Sequence, residues 1–264
     1  MSTGLAARSI LDDSELGVRM LGVSTLGFGI ACLLQRDFVV WQPVPEDFPF
    51  RQPLAFVSAA ALMLSGSGLL VAGTRKIAVI LQMSLFLLYA ASWLFVSPSR
   101  GSVQPWLGIA EHLAIVVGAT TIWARLSPAT AQRWHFNPKV ARVAYGCCSL
   151  AFAIAHVVAL KGTASFVPAW IPGDAVFWAI FTGVGHLAVA IALFADKVLV
   201  LATRLAALMY LSFAALVWMP GAVTHPDQWF RWAGGAITLV LLAAVWLVGE
   251  YRRAEDKVPE GPDD

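Results

Sequence analysis

Residues 53–97 read PLAFVSAAALMLSGSGLLVAG-TRK-IAVILQMSLFLLYAASWLFVS: two uncharged, apolar runs separated by Thr74-Arg75-Lys76. Each run, 53–73 and 77–97, is close to the ~20 residues a helix needs to cross a ~30 Å hydrocarbon core. A membrane barrel strand is about half as long and alternates apolar with polar residues, which these runs do not do. The polar turn Gly73-Thr74-Arg75-Lys76 is short enough to join antiparallel neighbours. The stretch therefore predicts a membrane-spanning helical hairpin, and the pattern extends in both directions.

Of the 264 residues, 59% are hydrophobic and 13% charged, and the mean hydropathy is +0.73. Soluble domains carry about 25% charged residues, so this chain cannot cover a soluble surface. A soluble enzyme is excluded, as are disordered, collagen-like and disulfide-framework proteins. Further apolar segments fall at 17–35, 106–124, 140–160, 174–194, 198–219 and 229–249, which makes eight predicted transmembrane helices. The first sixteen residues carry Arg8, Asp12, Asp13 and Glu15 and no apolar h-region, unlike a cleavable signal peptide. Net charge is +2, too small to call for a nucleic-acid partner. Cys32, Cys147 and Cys148 form no C-x-x-C pair and read as small apolar filler.

Punctuation between the segments agrees. Ala195-Asp196-Lys197 is a second tight turn, and Pro98 and Pro220 follow the third and seventh segments as expected helix stops. Trp41, Trp106, Trp170 and Trp229 stand at segment ends as expected interfacial anchors. Lys and Arg divide 13 to 5 between the two sides. The richer side holds the N-terminus, the 2–3, 4–5 and 6–7 connections and the tail. By the positive-inside rule both termini are expected in the cytoplasm, in a multi-pass protein of the inner (plasma) membrane. Arg204, about six residues into its helix, is expected to snorkel to the headgroups.

The two halves resemble each other. Arg19 and Arg142 open the first helix of each. Phe38-Val39-Val40-Trp41-Gln42-Pro43 and Phe166-Val167-Pro168-Ala169-Trp170-Ile171-Pro172 follow it. Tyr89 and Tyr210 lie within the third helices, 17 and 19 residues before Trp106 and Trp229. An even number of crossings per unit predicts parallel repeats about an axis along the membrane normal. The expected fold is thus an all-α integral membrane protein of about eight transmembrane helices, arranged as two tandem parallel four-helix bundles. Its parts are a cytoplasmic N-terminal segment (1–16), a first repeat (17–124), a cytoplasmic linker (125–139), a second repeat (140–249) and a disordered cytoplasmic tail (250–264).

The second half, through Phe166-Val167-Pro168-Ala169-Trp170-Ile171-Pro172, Thr182-Gly183-Val184-Gly185-His186 and Thr203-Arg204-Leu205-Ala206-Ala207-Leu208, resembles the DoxX-like family of membrane proteins. The likeness covers about 139–249 and, more faintly, 16–126. The family's usual member is a single four-helix bundle, so the resemblance implies a tandem fusion. It also implies a non-autonomous subunit of a redox or quinone-linked membrane complex, since one branch resembles the membrane subunit of a thiosulfate:quinone oxidoreductase. The family commonly has an acidic residue where His186 stands, and the first half has Ala61, Leu62 and Met63 there. A role resting on that carboxylate does not carry over.

Ionisable groups inside membrane helices are the first candidates for function. Four stand out: Glu111 and His112 in the fourth helix, His156 in the fifth and His186 near the middle of the sixth. Counting along the helices places Glu111, His112 and His156 in one layer some ~6–8 Å below the outer interface. A carboxylate and histidines at one depth can relay protons, ligate a metal or hydrogen-bond a quinone headgroup. The alternative is that each bonds a neighbouring helix and serves packing. Adjacent Glu111 and His112 diverge by ~100°, so they do not both face one point. Gly66, Gly68, Gly183 and Gly185 are expected at close helix crossings. No phosphate-cradling loop, His-Glu-x-x-His or cysteine pair occurs. The expected partners are membrane lipids and a protein of a membrane complex, with a scaffold or assembly factor as the alternative role. A small-solute channel or carrier is a third, lacking broken helices and a charged pathway.

Overall fold

The computed structural model of the chain describes residues 14–96 and 102–255. Arg8, Pro98, Arg100, Lys257 and the rest of the two terminal segments lie outside the described residues. Within them the protein is an all-α, multi-span membrane protein. Eight helices are long and apolar enough to cross a membrane. They are α1 (Ser14–Gln35), α2 (Arg51–Leu70), α3 (Arg75–Ser92), α4 (Gln104–Leu126), α6 (Pro138–Val158), α8 (Ala175–Ala195), α9 (Leu199–Ser212) running on into α10 (Met219–Thr224), and α11 (Trp229–Glu255). Two short helices flank α6: α5 (Pro128–Arg133) and α7 (Leu160–Ser165).

Local chemistry sets several of the starts. The Asn137 side chain accepts the Val140 N–H at 3.0 Å just ahead of Pro138, which pre-sets φ for α6. The Asp174 carboxylate accepts the Val176 N–H at 2.6 Å at the start of α8. Elsewhere the apolar surroundings do the work, because a backbone group left unpaired in hydrocarbon is too costly for anything but a helix. Val57, Leu64, Leu88, Phe181 and Leu205 point outward, as lipid-facing side chains do.

Neighbours in sequence pack as neighbours in space: α1 on α2, α2 on α3, α3 on α4, and likewise α6 on α8, α8 on α9, and α9 on α11. The halves also interlock. α11 lies against both α1 and α4, and α4 against α6, so one apolar core runs through both halves. α11 is the axis of this arrangement, with 72% of its apolar window inside the protein. Small residues permit the close crossings. A Cβ on Gly118 would stand 2.5 Å from the Ala244 Cα, where α4 meets α11, and one on Gly66 would stand 2.5 Å from the Leu26 nitrogen, where α2 meets α1.

Three expectations change. Pro220 does not stop the seventh crossing. The widened π turns of Phe213–Trp218 precede it, and the proline falls in the first turn of α10, where its missing N–H leaves no bond unmade. The helix expected to give way to a disordered tail at 250 continues to Glu255, held by Glu250 and Tyr251. Arg204 does not snorkel to headgroups. It bonds the Glu250 carboxylate on α11 and lies 3.3 Å over the Trp246 ring. That ion pair shares one end of the molecule with Glu15–Arg75, a two-bonded pair at 2.6 and 2.7 Å, and with Arg142–Asp196 at 3.3 Å. Asp37–Arg51, at 2.7 Å, ties the opposite end.

Candidate functional site

In the second half α6, α8 and α9 bring three ionisable rings together. His156 on α6 and His186 on α8 have ring centroids 5.2 Å apart. Tyr210 on α9 lies 5.7 Å from His186, and Phe152, one turn before His156, packs edge-on against His186 at 5.2 Å. Glycine makes this possible: a Cβ on Gly183 would stand 2.8 Å from the His156 Cβ, so α8 fits against α6 at this level only without a side chain. The Ser149 hydroxyl, donating to the His186 carbonyl at 2.8 Å, fixes the register of the two helices. Glu111 reaches toward Tyr210 from α4, and Tyr145 toward it from α6.

Four of these groups have unused bonding capacity. The His156 Nδ1 lies 2.8 Å from the Phe152 carbonyl, which only accepts, so Nδ1 carries the hydrogen and Nε2 presents its lone pair. Among the described residues neither that Nε2 nor the His186 ring has a hydrogen-bond partner, and the Glu111 carboxylate has neither a hydrogen bond nor an ion pair. The Tyr145 hydroxyl is buried and likewise unbonded. His186, Tyr145 and Tyr210 are buried, while Glu111 and His156 are half-buried.

His156 also lines the way in. A groove of about 300 Å³ opens on the lipid-facing side between α6 and α8, walled by Ala153, Val157, Ile180, Gly183 and Val184 with His156 as its polar member. The volume is at the low end for a small-molecule site, and an apolar wall with one polar group is the usual make-up of such sites.

Glu111, His112 and His156 do not gather at one point. His112 turns into the first half, with Phe86 and Tyr89 each 5.8 Å from its ring. The ~100° between adjacent helical residues sends Glu111 to one half and His112 to the other. His186 joins His156 instead, the two rings meeting where Gly183 lets α8 approach α6. Two of the histidines bond within their own helix, and His112 also faces the Trp41 backbone beyond it. His112 and His156 each bond a carbonyl of their own helix, Gly108 at 2.6 Å and Phe152 at 2.8 Å. Among the described residues no three His, Cys, Asp or Glu side chains meet as metal ligands would. The His156 and His186 rings are in direct contact, leaving no room for a haem between them.

The sequence reading singled out Tyr210 as a repeat marker and did not place it in the site, and it passed over Tyr145. A tyrosine in mid-helix among apolar residues is the signal that was available for both, since its hydroxyl must be satisfied or functional. Comparison of the chain with protein-family models, with curated proteins and with solved structures finds no match.

Proposed function

We propose that this chain is a DoxX-like subunit of a redox or quinone-linked membrane complex, duplicated in tandem, with its termini in the cytoplasm. In this reading the second half carries the quinone contact. The observation that carries it is the lipid-facing groove with His156 in its wall, backed by His186, Tyr210 and the unpaired Glu111. Duplication is supported by matching contacts: α1 lies on the last helix of the other half, α11, and α6 lies on the last helix of the other half, α4.

The residues fit a quinone headgroup. The groove is apolar, opens toward lipid where such a molecule dissolves, and offers an Nε2 lone pair with no partner inside the protein. When bound, a quinone supplies two-electron, two-proton chemistry at its ring oxygens. Through its Nε2 lone pair His156 would accept the hydroxyl hydrogen of the reduced, quinol form and take that proton as the quinol is oxidised. His186, touching both His156 and Tyr210, is placed to exchange that proton with the interior. Glu111 would act as the terminal proton holder, since no cation or donor among the described residues fixes its charge state.

Extraction of the full-length protein purified in mild detergent tests this. Wild type is expected to retain quinone, and His156→Ala to retain about tenfold less, the equivalent of one good hydrogen bond to a charged or polar site at ~1.4 kcal/mol. Wild type free of quinone and of any redox partner would sink the reading. A partner complex that assembles equally well with Glu111→Ala/His112→Ala/His156→Ala would assign the protein to scaffolding instead.

A further inference from the structure

At the opposite end of α4 from the groove, Arg125 sits where α4, α5 and α11 meet, on the side of the molecule where α1 begins and α11 ends. Among the described residues Glu250 is the carboxylate within electrostatic reach of it. Arg125 and Arg204 both lie within electrostatic reach of Glu250, but Arg204 takes that carboxylate in a direct bond. Arg125 is left with no ion pair or hydrogen bond among the described residues, and its Nε is buried without a partner. Among the described residues, Arg125 thus shares one carboxylate with Arg204 at this end of the molecule.

Beside it is a pocket of about 420 Å³ lined by Arg125, Gln132, His135, Phe136, Asn137 and Tyr251. Its shape comes from the end of α5. The His135 N–H bonds the Gln132 carbonyl at 3.0 Å and the Phe136 N–H bonds the Ala131 carbonyl at 2.9 Å, with His135 in the left-handed region at φ 54°. This is a Schellman turn with histidine where glycine is usual. It swings Phe136 back to stack on Tyr251 at 5.9 Å and 19°, and Tyr251 in turn lies under the Arg125 guanidinium at 5.7 Å. The pocket thus has a cationic floor, polar edges at Gln132, His135 and Asn137, and an aromatic wall.

We propose that this pocket binds the phosphate of an anionic phospholipid drawn from the adjoining leaflet. Arg125 matches a phosphate through its fork of donors, and the exposed Gln132 and His135 reach the headgroup oxygens. The Phe136–Tyr251 wall takes the glycerol and first acyl carbons. A free phosphate shares the anion chemistry but has nothing to set against that wall, and the pocket lies at the end of a spanning helix, where lipid phosphates lie.

Native mass spectrometry of the full-length protein in detergent, with phosphatidylglycerol, phosphatidylcholine or inorganic phosphate added, tests the assignment. Phosphatidylglycerol adducts are expected to exceed phosphatidylcholine adducts by about fivefold, the ratio equivalent to the ~1 kcal/mol that one basic residue contributes at an anionic surface. Arg125→Gln is expected to erase that excess and Arg125→Lys to keep part of it. Equal adducts of the two lipids on wild type, or an excess unchanged in Arg125→Gln, overturns the site. Displacement of phosphatidylglycerol by an equal concentration of inorganic phosphate overturns the lipid as its ligand. If Arg125→Gln does not fold, Gln132→Ala/His135→Ala, both on the exposed rim, takes its place. A lost excess in that variant supports the site and an unchanged one overturns it.

Discussion

Each half sets a histidine against a tyrosine, His112 on Tyr89 at 5.8 Å and His186 on Tyr210 at 5.7 Å, from different helices and in different surroundings. In the first half several side chains bond one helix to another, although the His112 Nε2 and the Trp93 indole N–H are buried without a hydrogen bond. Tyr89 and Ser58 share a hydroxyl bond of 2.6 Å, and Gln42 donates to Ser58 at 2.9 Å. A layer away, Gln82 donates to Thr25 at 2.9 Å and accepts from Ser65 at 2.6 Å, so three helices are bonded through one amide. Around the second half's groove His156 and His186, with Glu111 reaching across from α4 of the first half, keep unspent donors or acceptors. A closed network rigidifies and specifies packing, whereas polar groups left open in hydrocarbon persist where a ligand or proton completes them. The difference is one of arrangement: the first half ties three helices together through Gln82, while the second sets its His156–His186 pair beside a groove.

The contrast can be broken first at the joint. Gly118→Leu places a side chain against Ala244 where both halves meet. It is expected to destabilise the whole chain by ~3 kcal/mol or more, the upper range for overpacking, read as loss of folded fraction in a dodecyl sulfate titration. If the halves unfold separately in that titration, they do not share one core. Gln82→Ala strands Thr25 and Ser65 in the first half and is expected to cost about 1–3 kcal/mol in the same assay. Tyr89→Phe removes only the Ser58 bond, for which ~0.6 kcal/mol is the expectation inside a membrane. Tyr145→Phe deletes a buried hydroxyl that faces Tyr210 without a well-formed bond, so it is expected to cost less than ~0.6 kcal/mol. A loss of more than 1 kcal/mol there would mean that the second half is as fully bonded as the first.

Hydropathy made the eight crossings legible to within a few residues, because in lipid a long apolar run has little choice but to be a helix. Local exceptions were less visible. The π turns that carry the seventh crossing past Pro220 leave no mark in composition, and neither does the meeting of His156 with His186 between α6 and α8. The divergence of Glu111 from His112 was readable from helical geometry alone. Their destinations were not, since those depend on which helices flank α4. Arg204 was misjudged for the same reason: its partner Glu250 lies 46 residues away on another helix, and no local pattern announces it. The four candidates were found because charge is rare in these segments. Tyr145 and Tyr210 were harder to separate from the many aromatic core residues until the contacts around His186 were known.

The central place of α11 bears on how the protein is made. The ribosome delivers α1 and α4 to the membrane long before it reaches Trp229, and both are then missing the surface they share in the finished molecule. Gly17 and Gly118, which in the native fold take Leu247 and Ala244, must face lipid or an insertion factor in the interval. The early helices therefore wait as a half-open vessel, and the arrival of one late strand of chain closes both halves together.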